Sequence, residues 1–400
     1  MKILGIETSC DETAASVVEG KGGKVKVLSN VVSSQIEIHQ KYGGVVPEVA
    51  AREHVLNILP VVNEALRKAG ITSPGPSFRQ RRTGVKKGNK KVPPLNKGRP
   101  SSQGGLKGGV DAIAVTRGPG LITSLMAGVE TAKSLAFAWD IPLIGINHIE
   151  GHIYANFVGA NSKSETLNSK QISNIPSSGW SSVGRQFPIS NLFPSIILTV
   201  SGGHTMIILM KDHGKYELIG DTRDDAAGEA FDKAAQLLEI GYPGGPVVSK
   251  YARKFKGETD IEFPRPMLKD SNFDFSFSGL KTSILYKIKK DPNWRKRISE
   301  YCQAFEEAIV DVLVTKTLKA AEKYKVKNIM LAGGVSANTK LRSELKKRAN
   351  KLEGKPRVFV PDLKYTTDNA VMIATAGYFR ARKKDFTSWD KLKADPNLEL

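Results

Sequence analysis

The sequence predicts an α/β protein made of two similar halves with a cleft between them. Three observations lead there. Apolar runs of strand length alternate with helix-period segments along most of the 400 residues. Each half opens with three short strands joined by tight turns and then becomes strand–helix. Two loops rich in Gly, Ser and Thr follow the first strand of each half and so match in position.

Taken in order, the apolar run KILGIET predicts a strand at 2–8, and the β-branched stretches around Val17 and Val31 predict strands at 14–19 and 25–34. Apolar residues at helical spacing predict a helix at 48–69. A strand at 110–116 is broken by Gly118-Pro119-Gly120 ahead of a helix at 121–138, and PLIGI gives a strand at 142–146 before a helix at 148–158. In the second half SIILTV, TMIILM and YELIG predict strands at 195–200, 205–210 and 216–220, and further strands follow at 327–332 and 357–360. Helices near 226–240, 276–290, 299–324, 336–349 and 368–382 fill the gaps. The helix at 226–240 sets an apolar stripe of Ala227, Phe231, Ala234 and Leu238 against Asp225, Glu229 and Asp232. At Ala332-Gly333-Gly334-Val335-Ser336 a buried strand stops and a helix starts, with Ser336 as N-cap and Asn338 in the first turn. The halves divide into 1–146 and 147–400.

At 40% hydrophobic residues the chain can bury a sizeable core, which excludes disorder throughout. Its 60 Lys and Arg against 40 Asp and Glu leave a net charge of +20, which favours polyanionic partners. Half of that excess is local: residues 73–109 hold ten Lys or Arg, no Asp or Glu, eight Gly and five Pro, while residues 161–193 hold nine Ser. Both segments read as flexible insertions, the basic one either as a tether adding phosphate contacts to a nucleic acid or as a plain solvated linker. Cys10 and Cys302, the only two cysteines, cannot build a disulfide framework or a Cys-rich zinc site, so a reducing, cytoplasmic setting is expected. No apolar stretch approaches the ~18 residues of a membrane span.

Turns of Gly, Ser and Thr at strand ends offer backbone N–H and hydroxyl groups to an anionic phosphate. Glu7-Thr8-Ser9-Cys10-Asp11-Glu12-Thr13 and Ser201-Gly202-Gly203-His204-Thr205 are such loops, although ordinary hairpin turns look the same. Gly333-Gly334 would let a flat purine or ribose approach the backbone, with Asn338 hydrogen-bonding it; a simple helix cap explains the same residues. His148 and His152 lie at i and i+4 and share a helix face, where two imidazoles can hold one metal ion, the alternative being two buried histidines bonded to backbone. Glu150, about 200° round the helix from His148, points away and suits a capping box with Asn147, which disfavours a metallopeptidase. Asp368, ahead of the last helix, could supply a third ligand or merely cap that helix, and spacing alone does not pair it with the histidines.

Together IETSCDET, HQKYGGVVPEVAAREH, RGPGL, KSLAFAWDIPLIGINHIEGH, VSGGHT, DDAAGEAFDKAAQLL, YPGGP, FPRPM, FSFSGLKT, AGGVSAN and TDNA resemble, in order, the signatures of the tRNA N6-adenosine threonylcarbamoyltransferases of TsaD type, once labelled glycoproteases. The resemblance implies an actin-like, sugar-kinase-like and heat-shock-ATPase-like two-lobed fold with a central cleft. It implies transfer of the threonylcarbamoyl group from L-threonylcarbamoyl-adenylate to N6 of the adenosine just 3′ of the anticodon in tRNAs reading ANN codons, with release of AMP. Carried over residue by residue, it makes His148, His152 and Asp368 the ligands of one divalent metal ion, Fe(2+) ahead of Zn(2+), with Mg(2+) accompanying a bound nucleotide. It makes Thr199, Val200, Ser201, Gly202, Gly203, Asp232, Gly245 and Asn338 substrate contacts, although Thr199 stands where the family usually has leucine. The partners it implies are tRNA, a threonylcarbamoyl-AMP synthase, a catalytically silent paralogue and a small P-loop ATPase. Asp11 is a candidate for proton or substrate handling on its place in the first loop alone. Two other readings stay open: an actin-like ATPase or kinase using Mg-nucleotide, and a nucleic-acid-binding scaffold with a degenerate site.

Overall fold

The computed structural model describes residues 1–71, 109–159 and 192–400. The insertions expected at 73–109 and 161–193 lie outside the described residues, apart from positions 109, 192 and 193. The first half holds β1 (Lys2–Glu7), β2 (Glu12–Lys21), β3 (Lys24–Ser34), β4 (Ala112–Gly118) and β5 (Leu143–Asn147), with α1 (Ile36–Gln40), α2 (Pro47–Lys68), α3 (Ile122–Trp139) and α4 (His148–Tyr154). The second holds β6 (Ser195–Val200), β7 (Thr205–Asp212), β8 (Lys215–Asp221), β9 (Asn328–Ala332) and β10 (Arg357–Phe359). Its helices are α5 (Ala227–Leu237), α6 (Gly244–Ala252), α7 (Ser278–Lys290), α8 (Ile298–Lys323), α9 (Thr339–Ala349) and α10 (Ala370–Arg382).

The two sheets share one topology. The first runs β3-β2-β1-β4-β5 and the second β8-β7-β6-β9-β10. In each, three strands form an antiparallel meander, the fourth joins the first in parallel and the fifth joins the fourth in parallel. Parallel strands need crossover connections and are covered on both faces, so they read as unbroken apolar runs rather than alternating ones. Accordingly β5, β6 and β9 are buried at every position.

Three cores follow. Leu4 and Ile6 of β1 pack with Ile58 and Val62 of α2 and Val129 of α3 on the outer face of the first sheet. Ile196 and Leu198 of β6 pack with Phe231 of α5 and Phe305 and Ile309 of α8 on the outer face of the second. Between the sheets, Ile3 and Ala114 from one and Ile197 and Met330 from the other enclose Ile149 and Ile153 of α4 and Ile373 and Ala376 of α10. The chain then returns to the first half: Thr387 bridges Leu143, Leu392 is buried in that half's outer core, and the Asp395 N–H donates to the Arg117 carbonyl at 2.7 Å.

Several element ends differ from the sequence expectation. The helix expected at 148–158 stops at Tyr154 and tightens into a 3-10 turn, Ala155–Phe157. Ser336 does not cap a helix: Gly334–Ala337 is a 3-10 turn, and Asn338 is the N-cap of α9, accepting from the Leu341 N–H at 2.9 Å. The short α1 and α6 were not expected, the latter because it opens on the pair Gly244-Gly245, which reads as loop. No helix of the described residues is long and apolar enough to cross a membrane.

Candidate metal centre and cleft

α4 and α10 are equivalent elements, each following the fifth strand of its sheet, and both start on an asparagine cap. Asn147 Oδ1 accepts from the N–H groups of Ile149 at 2.8 Å and Glu150 at 3.3 Å, and Asn369 Oδ1 accepts from Met372 N–H at 3.1 Å. The helices cross closely at Gly151, where a Cβ would come within 2.6 Å of Ile373 Cδ1. That crossing brings together residues far apart in sequence. His152 Nε2 lies 3.1 Å and His148 Nε2 3.5 Å from Asp368 Oδ1, and one ligand atom from each residue falls within 4.8 Å of the others.

The donor set fits a divalent cation. Both ring nitrogens of His152 are buried without a hydrogen-bond partner, and the 3.1 Å approach to Asp368 lacks hydrogen-bond geometry. Two imidazoles and a carboxylate suit iron or zinc with positions left open, and suit magnesium poorly. The local field also favours positive charge. Burial opposes charging of His148, but Asp368 and Glu7 outweigh it and push its pKa up to about 9. Burial likewise opposes ionisation of Asp368, yet His148 and His152 hold it down at about 2.

Glu7 is a functional residue that the sequence reading missed. It is fully buried at the end of β1, its Oε1 accepting from the Ser9 N–H at 2.6 Å and its Oε2 from Thr116 Oγ1 at 2.7 Å. Its Oε2 is also 3.1 Å from His148 Nδ1, with Ser9 Oγ at the same distance from that nitrogen. Burial would raise the Glu7 carboxyl, but the adjoining His148 keeps it below its ordinary value. An ionised carboxylate only accepts, so it holds a proton on Nδ1 and orients the ring with Nε2 facing Asp368, the nitrogen that would be left to bind an ion. Glu7→Gln is expected to weaken metal affinity by about 10- to 100-fold, read by competition with a chromogenic chelator. The signal available in sequence was a carboxylate ending an otherwise apolar strand.

Glu150 does point away from the histidines, but it does not complete a capping box. Its carboxylate is fully buried and held by Arg380 of α10, with Nη2 at 2.7 Å and Nε at 2.9 Å, and by the Tyr216 hydroxyl at 3.1 Å.

The cleft face of the second half gathers the remaining residues. Gly202 and Gly203 are exposed in the β6–β7 turn beside Ser201, whereas Thr199 and Val200 are fully buried in β6, a strand paired with β7 on one side and β9 on the other. The start of α5 presses on this turn, Gly228 N–H donating to the Ser201 carbonyl at 3.2 Å. Of the three α5 acids, Asp225 and Glu229 are bridged by Lys233 at 2.7 and 2.8 Å, while Asp232 accepts from Gly244 N–H at 2.7 Å beside Gly245. Burial raises the Asp232 carboxyl, with Glu229 adding to it. Asn338 meets α6 through Ser249 at 3.1 Å, and Gly333, at φ +84°, passes β6 so closely that a Cβ would sit 2.4 Å from the Val200 carbonyl oxygen. His204, at the end of the same turn, lies within electrostatic reach of both metal-site histidines; burial, then those histidines, lowers its pKa to about 4. Asp11 is partly buried in the matching loop of the first half, beside Glu12 and within reach of Tyr242.

Residues 26–74, 103–166 and 182–375 match the model of a family described as TsaD: tRNA N6-adenosine threonylcarbamoyltransferase. A protein of that name from Geobacillus thermodenitrificans is 42% identical over 403 residues, spanning 100% of this chain and 96% of the relative. The chain belongs to the tRNA N6-adenosine threonylcarbamoyltransferase family. A threonylcarbamoyltransferase from Dehalococcoides mccartyi is similarly close, 43% identical over 396 residues and covering 98% of each chain. The breaks in the family match fall inside the two insertions. As in other actin-like folds, the threonylcarbamoyltransferase chain is a duplicated pair of lobes; T. kodakarensis HypF superposes with a TM-score of 0.54 at 15% identity, over 98% of this chain and 49% of that one. Membership makes the protein an acyl-transferring, tRNA-modifying enzyme with tRNA as substrate, which sets aside the kinase and scaffold alternatives.

Proposed function

We infer that this threonylcarbamoyltransferase carries one divalent ion on His148, His152 and Asp368, Fe(2+) ahead of Zn(2+), and takes L-threonylcarbamoyl-adenylate in the cleft between its lobes. One observation carries the reading: the starts of two equivalent helices turn two imidazoles and a carboxylate to a common point, with the His152 nitrogens buried and without hydrogen-bond partners. When bound, the ion supplies Lewis-acid polarisation of a carbonyl.

The chain's own residues bind and orient. Main-chain N–H groups of Gly202, Gly203 and Gly245 suit the phosphate, while the Ser201 N–H closes the turn on the His204 carbonyl at 2.8 Å; the second oxygen of Asp232 suits a ribose hydroxyl, its first being held by Gly244. Thr199 and Val200, buried in β6, support that turn from behind. Adenosine N6 attacks the carbamoyl carbon, a C–N bond forms, the C–O bond to phosphate breaks and AMP departs, while Asp11 takes the proton that N6 loses. A mixed anhydride already holds a good leaving group, so orientation rather than a strong nucleophile is what the site must supply. Mg(2+) accompanies nucleotide when one is bound.

On α2, Val55, Leu56 and Leu59 are 67%, 68% and 53% exposed in one row, which supports docking of the catalytically silent paralogue on that face. The small P-loop ATPase and the threonylcarbamoyl-AMP synthase complete the set. Incubation of the metal-loaded protein with L-threonylcarbamoyl-adenylate and unmodified tRNA, alone and with these partners, is expected to yield threonylcarbamoyladenosine and AMP by nucleoside mass analysis. Phosphoryl transfer from ATP to a sugar, with no modified nucleoside, would overturn the reading.

A further inference from the structure

We propose that Glu306 is a positioning residue for adenylate recognition: it fixes the Asn338 amide so that one N–H is committed to protein and the other is presented to an acceptor atom of the nucleoside. This rests on the cleft reading above. Glu306 stands on α8 and is 7% exposed. Its Oε1 accepts from Ser249 Oγ at 2.6 Å and from Asn338 Nδ2 at 2.7 Å, and Ser249 Oγ in turn lies 3.1 Å from the same Nδ2. One carboxylate oxygen therefore ties together α8, the helix that begins at Gly244-Gly245 and the loop that ends at Asn338.

The amide has a single orientation here. Asn338 Oδ1 accepts from the Leu341 N–H at 2.9 Å, and Glu306, as an acceptor, demands the NH2 end. A triangle with sides of 2.6, 2.7 and 3.1 Å subtends about 53° at Nδ2. The two N–H bonds of a planar amide diverge by roughly 120°. Both acceptors are thus served by one bifurcated N–H, and the second N–H remains to donate. Asn338 then recognises an acceptor, a purine ring nitrogen or a ribose oxygen, and not a donor. Burying a carboxylate with no cation beside it among the described residues is costly, and what it provides is this orientation.

The test compares AMP affinity by calorimetry in folded, metal-loaded variants. Glu306→Ala is expected to raise the AMP Kd about tenfold, and Ser249→Ala, a milder change, about threefold. Glu306→Gln keeps an acceptor oxygen at the same place and should return the Kd to within about twofold. Metal affinity should be unchanged in all three, which separates positioning from general damage. A folded Glu306→Ala protein with wild-type Kd, or a Glu306→Gln protein as weak as the alanine variant, would overturn the proposal. Asp232→Asn serves as the control for the cleft itself. If it weakens AMP while Glu306→Ala does not, only the role of Glu306 fails; if neither matters, the adenylate lies elsewhere and both readings fall.

Discussion

Replacing His152 by alanine is expected to strip the metal ion from the protein and to lower threonylcarbamoyl transfer about 10²- to 10³-fold, because Lewis-acid stabilisation is worth several kcal/mol and each 1.36 kcal/mol is tenfold in rate. His152 is the sharper choice of the two histidines. Its ring is 1% exposed and neither nitrogen has a hydrogen-bond partner among the described residues, its polar neighbour being Asp368, the third residue of the set. His148, by contrast, is also bonded to Glu7 and Ser9, and its removal would release that buried carboxylate. Metal content by mass spectrometry and modified nucleoside by liquid chromatography are the two readouts. Undiminished transfer by a metal-depleted His152→Ala protein would end the proposed role of the ion.

Arg380→Met is expected to destabilise the fold by about 3–5 kcal/mol, the usual consequence of leaving a buried charge without its partner. The Glu150 carboxylate is fully buried and receives two Arg380 N–H groups on Oε2. With Arg380 replaced, only the Tyr216 hydroxyl remains on it. The arginine side chain is itself 31% exposed, which places the loss toward the lower end of that range. Urea unfolding measures the effect. The double variant Arg380→Met with Glu150→Gln should recover much of it, since the neutral amide is cheaper to bury. Because Glu150 sits between the two histidines on α4 and Arg380 sits on α10, the pair fastens together the two helices that form the metal centre.

The fold was legible because its signals are local. Unbroken apolar runs marked the strands of both halves, and the repetition of three turn-linked strands followed by strand–helix marked the duplication. The histidine pair was equally plain, since residues four apart on a helix must share a face. Asp368 was not assignable from spacing: its place beside His152 depends on α4 and α10 packing across Gly151, a contact over more than two hundred residues. Glu7 was missed for a related reason, as its partners Thr116 and His148 come from other strands and helices. At Asn338 the structure changes the local reading. A cap rather than a first-turn residue, it has its amide set by Glu306, whose own spacing carries no motif.

The last helix belongs to the inner face of the first sheet, where it crosses β1 and β4 with Gly5 and Gly377 at the contacts. During synthesis the strands of that sheet are made more than two hundred residues before the helix that shields them. Until then α4 is, among the described residues, the one helix at hand for that inner face, and part of its apolar surface stays uncovered while the second sheet is translated. Such long-range closure is slow and leaves adhesive surface exposed in the meantime. A first half produced without that helix is therefore expected to expose apolar surface on the inner face of its sheet.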